Sequence, residues 1–263
     1  MTDSGYSLIR LLKQENFFIF SVILLLIAFS WFYVFFINHS MTKDLSSMEK
    51  LSSPQMGFFG FKDFLSLLIM WSFMMLAMMI PSATPMILVF ASVYKKKLSQ
   101  GQEFVPTWIF LSGYGVIWIL FSFATALAQF FLHNFALITD ELKLVNPVIS
   151  GSVLIAAGVY QFTPIKNICL KNCQGPLSFI MGNWRYGKKG AFLMGVKHGS
   201  YCVGCCWVLM LLLFAAGVMN LLWVILISLF IFIEKIFAKG RGISYVSGTA
   251  LILFGLWVIK FKF

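Results

Sequence analysis

The residues best equipped for chemistry lie in "KHGSYCVGCCW", Lys197–Trp207, inside one of the longest apolar runs of the chain. Thiols and imidazole bind soft and borderline metal ions. Ionisable groups at membrane depth are costly to place there and mark function by default. At about 100° per residue along a helix, His198, Cys202 and Cys205 fall near 0°, 40° and −20°, one narrow stripe, with Cys206 at its edge near 80°. Met194 precedes His198 by one turn, and Gly195 and Gly199 form a small-xxx-small pair that lets a neighbouring helix approach closely. A buried cysteine taken alone is a small packing residue, and Lys197 reads as a side chain that snorkels to the surface. Four donors at i, i+4, i+7 and i+8 are a different matter, because together they can converge on one ion.

A second group of soft donors lies in "MWSFMMLAMMIPSATPM", Met70–Met86, where six of the chain's fourteen methionines fall within seventeen residues. Met70, Met74 and Met78 step along one helical face, and Met75 and Met79 along another. Such a stripe commonly packs a core, but Pro81 and Pro85 each remove a backbone hydrogen bond, which is tolerated at membrane depth only where other groups compensate. Met78/Met79 and Cys205/Cys206 lie halfway along their respective runs, so thioethers and thiols can meet near one depth. Thiolate with thioether selects Cu(I). The thiols and His198 alone would equally suit tetrahedral zinc, so zinc is the runner-up. Calcium and magnesium need oxygen donors, and the apolar runs contain only Asp63 and Glu234, both at their ends. A third, weaker signal is "CLKNC", where Cys169 and Cys173 stand at i and i+4. They fit an exchange pair for the ion, a redox-active dithiol or two packing thiols.

The elements that must position these residues are membrane-spanning helices. The chain of 263 residues is 60% hydrophobic and only 11% charged, where soluble domains carry about 25%. Its apolar runs are continuous rather than alternating, which excludes an outer-membrane barrel. An all-α polytopic bundle of about seven spans follows, six being possible, in a single domain over residues 1–263. The spans fall near 17–37, 64–93 (interrupted by its prolines), 105–132, 147–163, 191–218, 221–236 and 243–259. A polar 38–62 loop, links around 94–104 and 133–146, and a basic loop over 164–190 connect them. The first span reads as a retained anchor. Thirteen basic residues, including Arg10, Lys13, Lys95–Lys97, Lys166 and Lys235, fall on one face, and six, including Lys43 and Lys260, on the other. The positive-inside rule then puts the N-terminus in the cytoplasm. The net charge of +11 belongs with anionic lipid rather than nucleic acid. Five cysteines, an odd number, cannot all pair within the chain.

At "MWSFMMLAMMIPSATPM", "YQFTPIKNICLKNCQGPLSF" and "MGVKHGSYCVGCCWVLMLLLFAAGVMNLLWVILISLFIFIEK", the sequence resembles the DUF2182 family of predicted metal-binding integral membrane proteins, associated with copper chaperones. The resemblance covers about residues 60–236. It implies that copper is bound and delivered to a copper enzyme or a soluble copper carrier. It implicates Met74, Met75, Met78, Met79, Cys169, Cys173, His198, Cys202, Cys205 and Cys206. The expectation is a multi-pass protein of the bacterial inner membrane that acquires, relays or delivers Cu(I) and is not an enzyme. Nothing in the sequence resembles a nucleotide loop or a phosphorylated-Asp motif, which argues against an ATP-driven pump. The alternatives are a membrane thiol–disulfide oxidoreductase, against which midplane thiols lack the electropositive, accessible setting of redox cysteines, and a zinc-binding or purely structural membrane subunit.

Overall fold

Helix signals in the sequence become nine α-helices among the residues that the structure, a computed structural model, describes: 19–39, 60–98, 105–135, 146–218, 220–237 and 240–261. They are α1 (Ile19–His39), α2 (Phe61–Leu98), α3 (Thr107–Asn134), α4 (Pro147–Gln161), α5 (Pro164–Gln174), α6 (Pro176–Gly182), α7 (Gly187–Ala216), α8 (Leu221–Ile236) and α9 (Gly240–Phe261). No strand occurs among the described residues. The polar N-terminal residues with Arg10 and Lys13, and most of the 38–62, 94–104 and 133–146 connections, lie outside them.

Five helices (α1, α2, α3, α7 and α9) are long and apolar enough to cross a membrane, and α4 with α5 makes a sixth if this pair, bent by 65°, counts as one span. Of the about seven spans expected from the sequence, six being possible, the described residues supply five or six. The difference lies mainly in α8, whose sixteen residues rise only about 24 Å, short of a hydrocarbon core of ~30 Å. In contrast, α2 is longer than expected. It runs as one helix of 38 residues through both prolines, rather than being interrupted by them. Ser82 and Thr84 donate back to the carbonyls of Met79 and Ile80 at 2.9 Å each, a local bonding pattern that accommodates a bend without ending a helix.

The segment read as a basic loop over 164–190 is mostly helical. Thr163 is the N-cap of α5, its hydroxyl accepting from Lys166 N at 3.3 Å, with Pro164 in the first turn. A cap residue followed by proline is a helix-start signature, and it both stops α4 and redirects the chain. Asn146 and Asn220 cap α4 and α8 in the same way.

The core is built around α2 and α7, of whose most apolar windows 50% and 56% is buried, against no more than 28% for α1, α3 and α9. Helix α3 packs on both. Its approach to α7 is backbone to backbone: a Cβ added at Gly195 would fall 2.0 Å from the Phe110 carbonyl oxygen, and one at Gly113 2.2 Å from that of Phe192. The neighbour admitted by Gly195 and Gly199 is thus α3, and its approach brings Phe110 and Tyr114 onto the stripe of α7 that carries His198 and Cys202. At the far end of α2, Trp71 Nε1 donates to Gln129 Oε1 of α3 at 2.6 Å.

Candidate metal centre

Helix α7 buries His198, Cys202, Cys205 and Cys206, none more than 2% exposed, as one stripe turned inward. The sequence periodicity alone accounts for that. Met194 is buried on the same side, whereas Lys197 is exposed and donates to Asn183 Oδ1 beyond the end of α6. All five cysteines are free thiols. Cys205 and Cys206 both donate to the Cys202 carbonyl, at 3.1 and 2.9 Å, the back-bonding available to a thiol inside a helix. Cys202 Sγ instead faces outward from α7, 3.2 Å from the Tyr114 hydroxyl. The His198 ring stacks against Tyr114 and Phe110, with centroids 5.5 and 6.1 Å away. Its Nδ1 is buried without a hydrogen-bond partner.

Opposite this stripe stands Met79 of α2. Its Sδ lies 3.9 Å from Cys206 Sγ, a contact between residues 127 positions apart. Tyr114 Oη also reaches the Met79 carbonyl at 3.3 Å, so α2, α3 and α7 meet at one point. Met74, Met75 and Met78 are equally buried. Met74, with Met70, lines a narrow cleft beside Tyr33 and Val34 of α1 and Val224 of α8. The methionines therefore form a buried column along α2, and Met79 is the member that touches Cys206.

The pair Cys169 and Cys173, expected in a cytoplasmic loop, is carried by α5 and half-buried against α7. Cys173 lies beside the thiols of Cys202 and Cys205. Cys169 sits over Gly204, whose missing side chain makes the room: a Cβ there would be 2.8 Å from Cys169 Sγ. Tyr160 of α4 donates to the Gly204 carbonyl. Thus α4 and α5 are both fastened to α7 at the level of the thiols.

Two lysines counted from the sequence among loop charges are interior. Lys166 of α5 is 0% exposed and pairs with Glu234 of α8 at 2.7 Å. The lysine also donates to Gln161, and Ser244 of α9 donates to the same carboxylate. Lys235, 6% exposed, extends into the sulfur cluster. Its Nζ is 3.0 Å from Cys202 Sγ, 3.1 Å from Ser82 Oγ and 3.9 Å from Met79 Sδ. Sequence reasoning missed Lys235 and Tyr114 as members of the site. The signal was available for the lysine, since an ionisable residue closing the apolar run "LISLFIFIEK" falls under the same rule that singled out His198.

Among the described residues, no three His, Cys, Asp or Glu side chains form a ready metal-holding group. What the fold brings together is Cys202 Sγ and Met79 Sδ at the Lys235 ammonium, Cys206 against Met79, Cys205 on the Cys202 carbonyl, Cys173 beside Cys202 and Cys205, and His198 one helical turn from Cys202. These donors are soft, all but half-buried Cys173 are buried, and His198 Nδ1 is unclaimed. That inventory fits a soft cation, and the described residues offer no free carboxylate pair for a hard one.

Fold and site together define an all-helical protein with membrane-length helices and a buried cluster of soft donors at their centre. Residues 68–258 match the PpoB2 family, described as a copper chaperone. The chain belongs to that family, and copper is accordingly the metal associated with it. The match begins just before the methionine column and extends past the expected core into α9, so it includes Lys235 and the helices that hold it. No curated protein and no solved structure matches the chain.

Proposed function

We propose that the protein is a membrane-embedded carrier of Cu(I), which it binds at the sulfur cluster between α2 and α7 and passes to a recipient copper enzyme or soluble copper carrier. The observation that carries this reading is the contact of Met79 Sδ with Cys206 Sγ at 3.9 Å, beside buried Cys202 and Cys205. Thioether and thiolate together prefer Cu(I) to harder ions, and the one buried carboxylate among the described residues, Glu234, is already paired with Lys166. Cys202, Cys205, Cys206 and Met79 would hold the ion, with His198 and Cys173 at the margin of the same cluster. Met74, Met75 and Met78 would receive or release it along α2, and Cys169 would exchange it on α5. Weak thioether ligation beside stronger thiolates suits transfer rather than storage, and the chain moves cargo without catalysing a reaction. The proposed setting is the bacterial inner membrane, with the N-terminus in the cytoplasm.

Anaerobic Cu(I) titration of the purified protein against a chromophoric chelator tests this. The wild type should bind about one Cu(I) per chain at the cluster. Cys206→Ser should weaken binding by more than the roughly 10–100-fold that loss of an outer-shell partner costs a metal site. Met79→Leu should weaken it less, and Met75→Leu hardly at all. Stoichiometry near zero, or equal affinities in all four proteins, would overturn the proposal.

A further inference from the structure

The copper reading leaves Lys235 unused, although its ammonium touches two of the cluster's sulfur atoms, Cys202 Sγ and Met79 Sδ. The three N–H donors of Nζ have three acceptors within reach: Cys202 Sγ, Ser82 Oγ and Met79 Sδ. Ser82 is free to accept because its own proton goes to the Met79 carbonyl. No carboxylate among the described residues pairs with Lys235, since the nearby Glu234 is taken by Lys166. A buried charge without a counter-charge is strongly unfavourable. The positive charge at this point therefore acts on whatever charge the sulfur cluster acquires.

We propose that Lys235 sets the charge selectivity of the centre, favouring a monovalent soft cation over a divalent one on the same sulfur ligands. This deepens the copper reading and rests on it. The preference is the same however many thiolates bind. For any fixed set of sulfur ligands, the Cu(I) complex is one unit more negative than the Zn(II) complex. An ammonium beside the complex favours the more negative one by a full unit of charge interaction. Lys235 Nζ is 3.0 Å from Cys202 Sγ, and a metal–sulfur bond adds about 2.3 Å, so ammonium and metal are separated by about 4–5 Å. At an effective dielectric of about 20, that interaction corresponds to a preference on the order of several hundredfold. A lysine that merely fastened α8 to α2 and α7 would change both affinities together and leave their ratio alone.

The experiment compares Cu(I) and Zn(II) dissociation constants, each by anaerobic chelator competition, in wild type, Lys235→Met, Lys235→Gln and Lys235→Arg. In the two neutral variants the preference for Cu(I) over Zn(II) should fall by about a hundredfold or more, while Lys235→Arg keeps it. Far-UV circular dichroism and elution as a single species establish that each variant folds, and the two neutral side chains differ enough that one suffices. If the neutral variants bind Cu(I) through Cys206 with an unchanged ratio, the selectivity role is overturned and the copper reading stands. If the wild type binds no Cu(I), or Cys206→Ser binds as wild type does, the copper reading itself fails and this inference with it.

Discussion

The Lys166–Glu234 pair joins the helix that carries two thiols to the helix that carries Lys235, so breaking it tests how the centre is held. The two side chains are 0% and 1% exposed and their charged atoms are 2.7 Å apart. Glu234→Ala removes the carboxylate that pairs with Lys166 and leaves its buried ammonium to the Gln161 side chain. Removing one partner of a buried pair costs about 3–5 kcal/mol, mostly from the stranded charge, whereas replacing both with apolar groups is about neutral or stabilising. Lys166→Met should cost a similar amount, because it strands the carboxylate with Ser244. The double variant Lys166→Met/Glu234→Leu should then be more stable than either single one, giving a coupling of at least about 2 kcal/mol in a double-mutant cycle. Denaturant unfolding in detergent micelles measures the four stabilities. The alkylation rate of Cys173 reports the local effect, rising in the single variants as α5 loosens from α7 and returning toward wild type in the double. Additive losses, with the double variant the least stable of all, would refute the claim that these charges are desolvated together.

Other contacts predict losses of different kinds. Gly195→Ala puts a methyl group 2.0 Å from the Phe110 carbonyl oxygen, and overpacking of about 1–3 kcal/mol should appear as a lower unfolding midpoint. The same change at Gly115, where nothing lies within 4 Å, should be neutral or slightly stabilising in the same assay. Trp71→Phe deletes the 2.6 Å bond to Gln129 and leaves a buried amide oxygen unsatisfied, a loss of about 1–3 kcal/mol that the added change Gln129→Leu should largely restore. Thr163→Ala removes the N-cap of α5 at about 0.5–2 kcal/mol. Faster hydrogen exchange confined to α5 should follow, with Thr163→Ser close to wild type.

What the sequence made legible follows periodicity, and what it hid depends on partners. The long apolar runs became α1, α2, α3, α7 and α9, and the 100° step correctly placed His198, Cys202 and Cys205 on one buried stripe. The small-residue pair at Gly195 and Gly199 announced a close neighbour without naming it as α3. The region over 164–190 is polar without being exposed throughout. In "PIKNICLKNCQ", Lys171 is exposed while Lys166 is fully buried, a distinction made by Glu234, 68 positions away. The Thr163–Pro164 cap could have revealed α5, because that signal is local. No local signal selects Met79 over Met75 as the thioether that reaches Cys206, since both are buried in the same column. That choice is set by how α2 and α7 rotate against α3.

The short helix α8 shows why the hidden part is also the part that positions the site. Glu234 and Lys235 are adjacent, so their side chains leave the helix about 100° apart and enter two different buried networks. Glu234 reaches Lys166 of α5 and Ser244 of α9. Lys235 reaches Cys202 of α7 and Ser82 of α2. Gln174, the last residue of α5, donates to the carbonyls of Glu234 and Phe237 at 2.8 and 2.9 Å, which satisfies end carbonyls of α8 that have no partner within the helix. An element too short to span a bilayer is thus fixed at one end by four neighbours. Because the two charges share one turn, a shift of α8 that withdraws Lys235 from Cys202 must also drag Glu234 across Lys166. The ammonium beside the sulfur cluster and the ion pair behind it therefore sit on one turn of α8, to which α5, with Cys173 on it, is tied through Lys166 and Gln174.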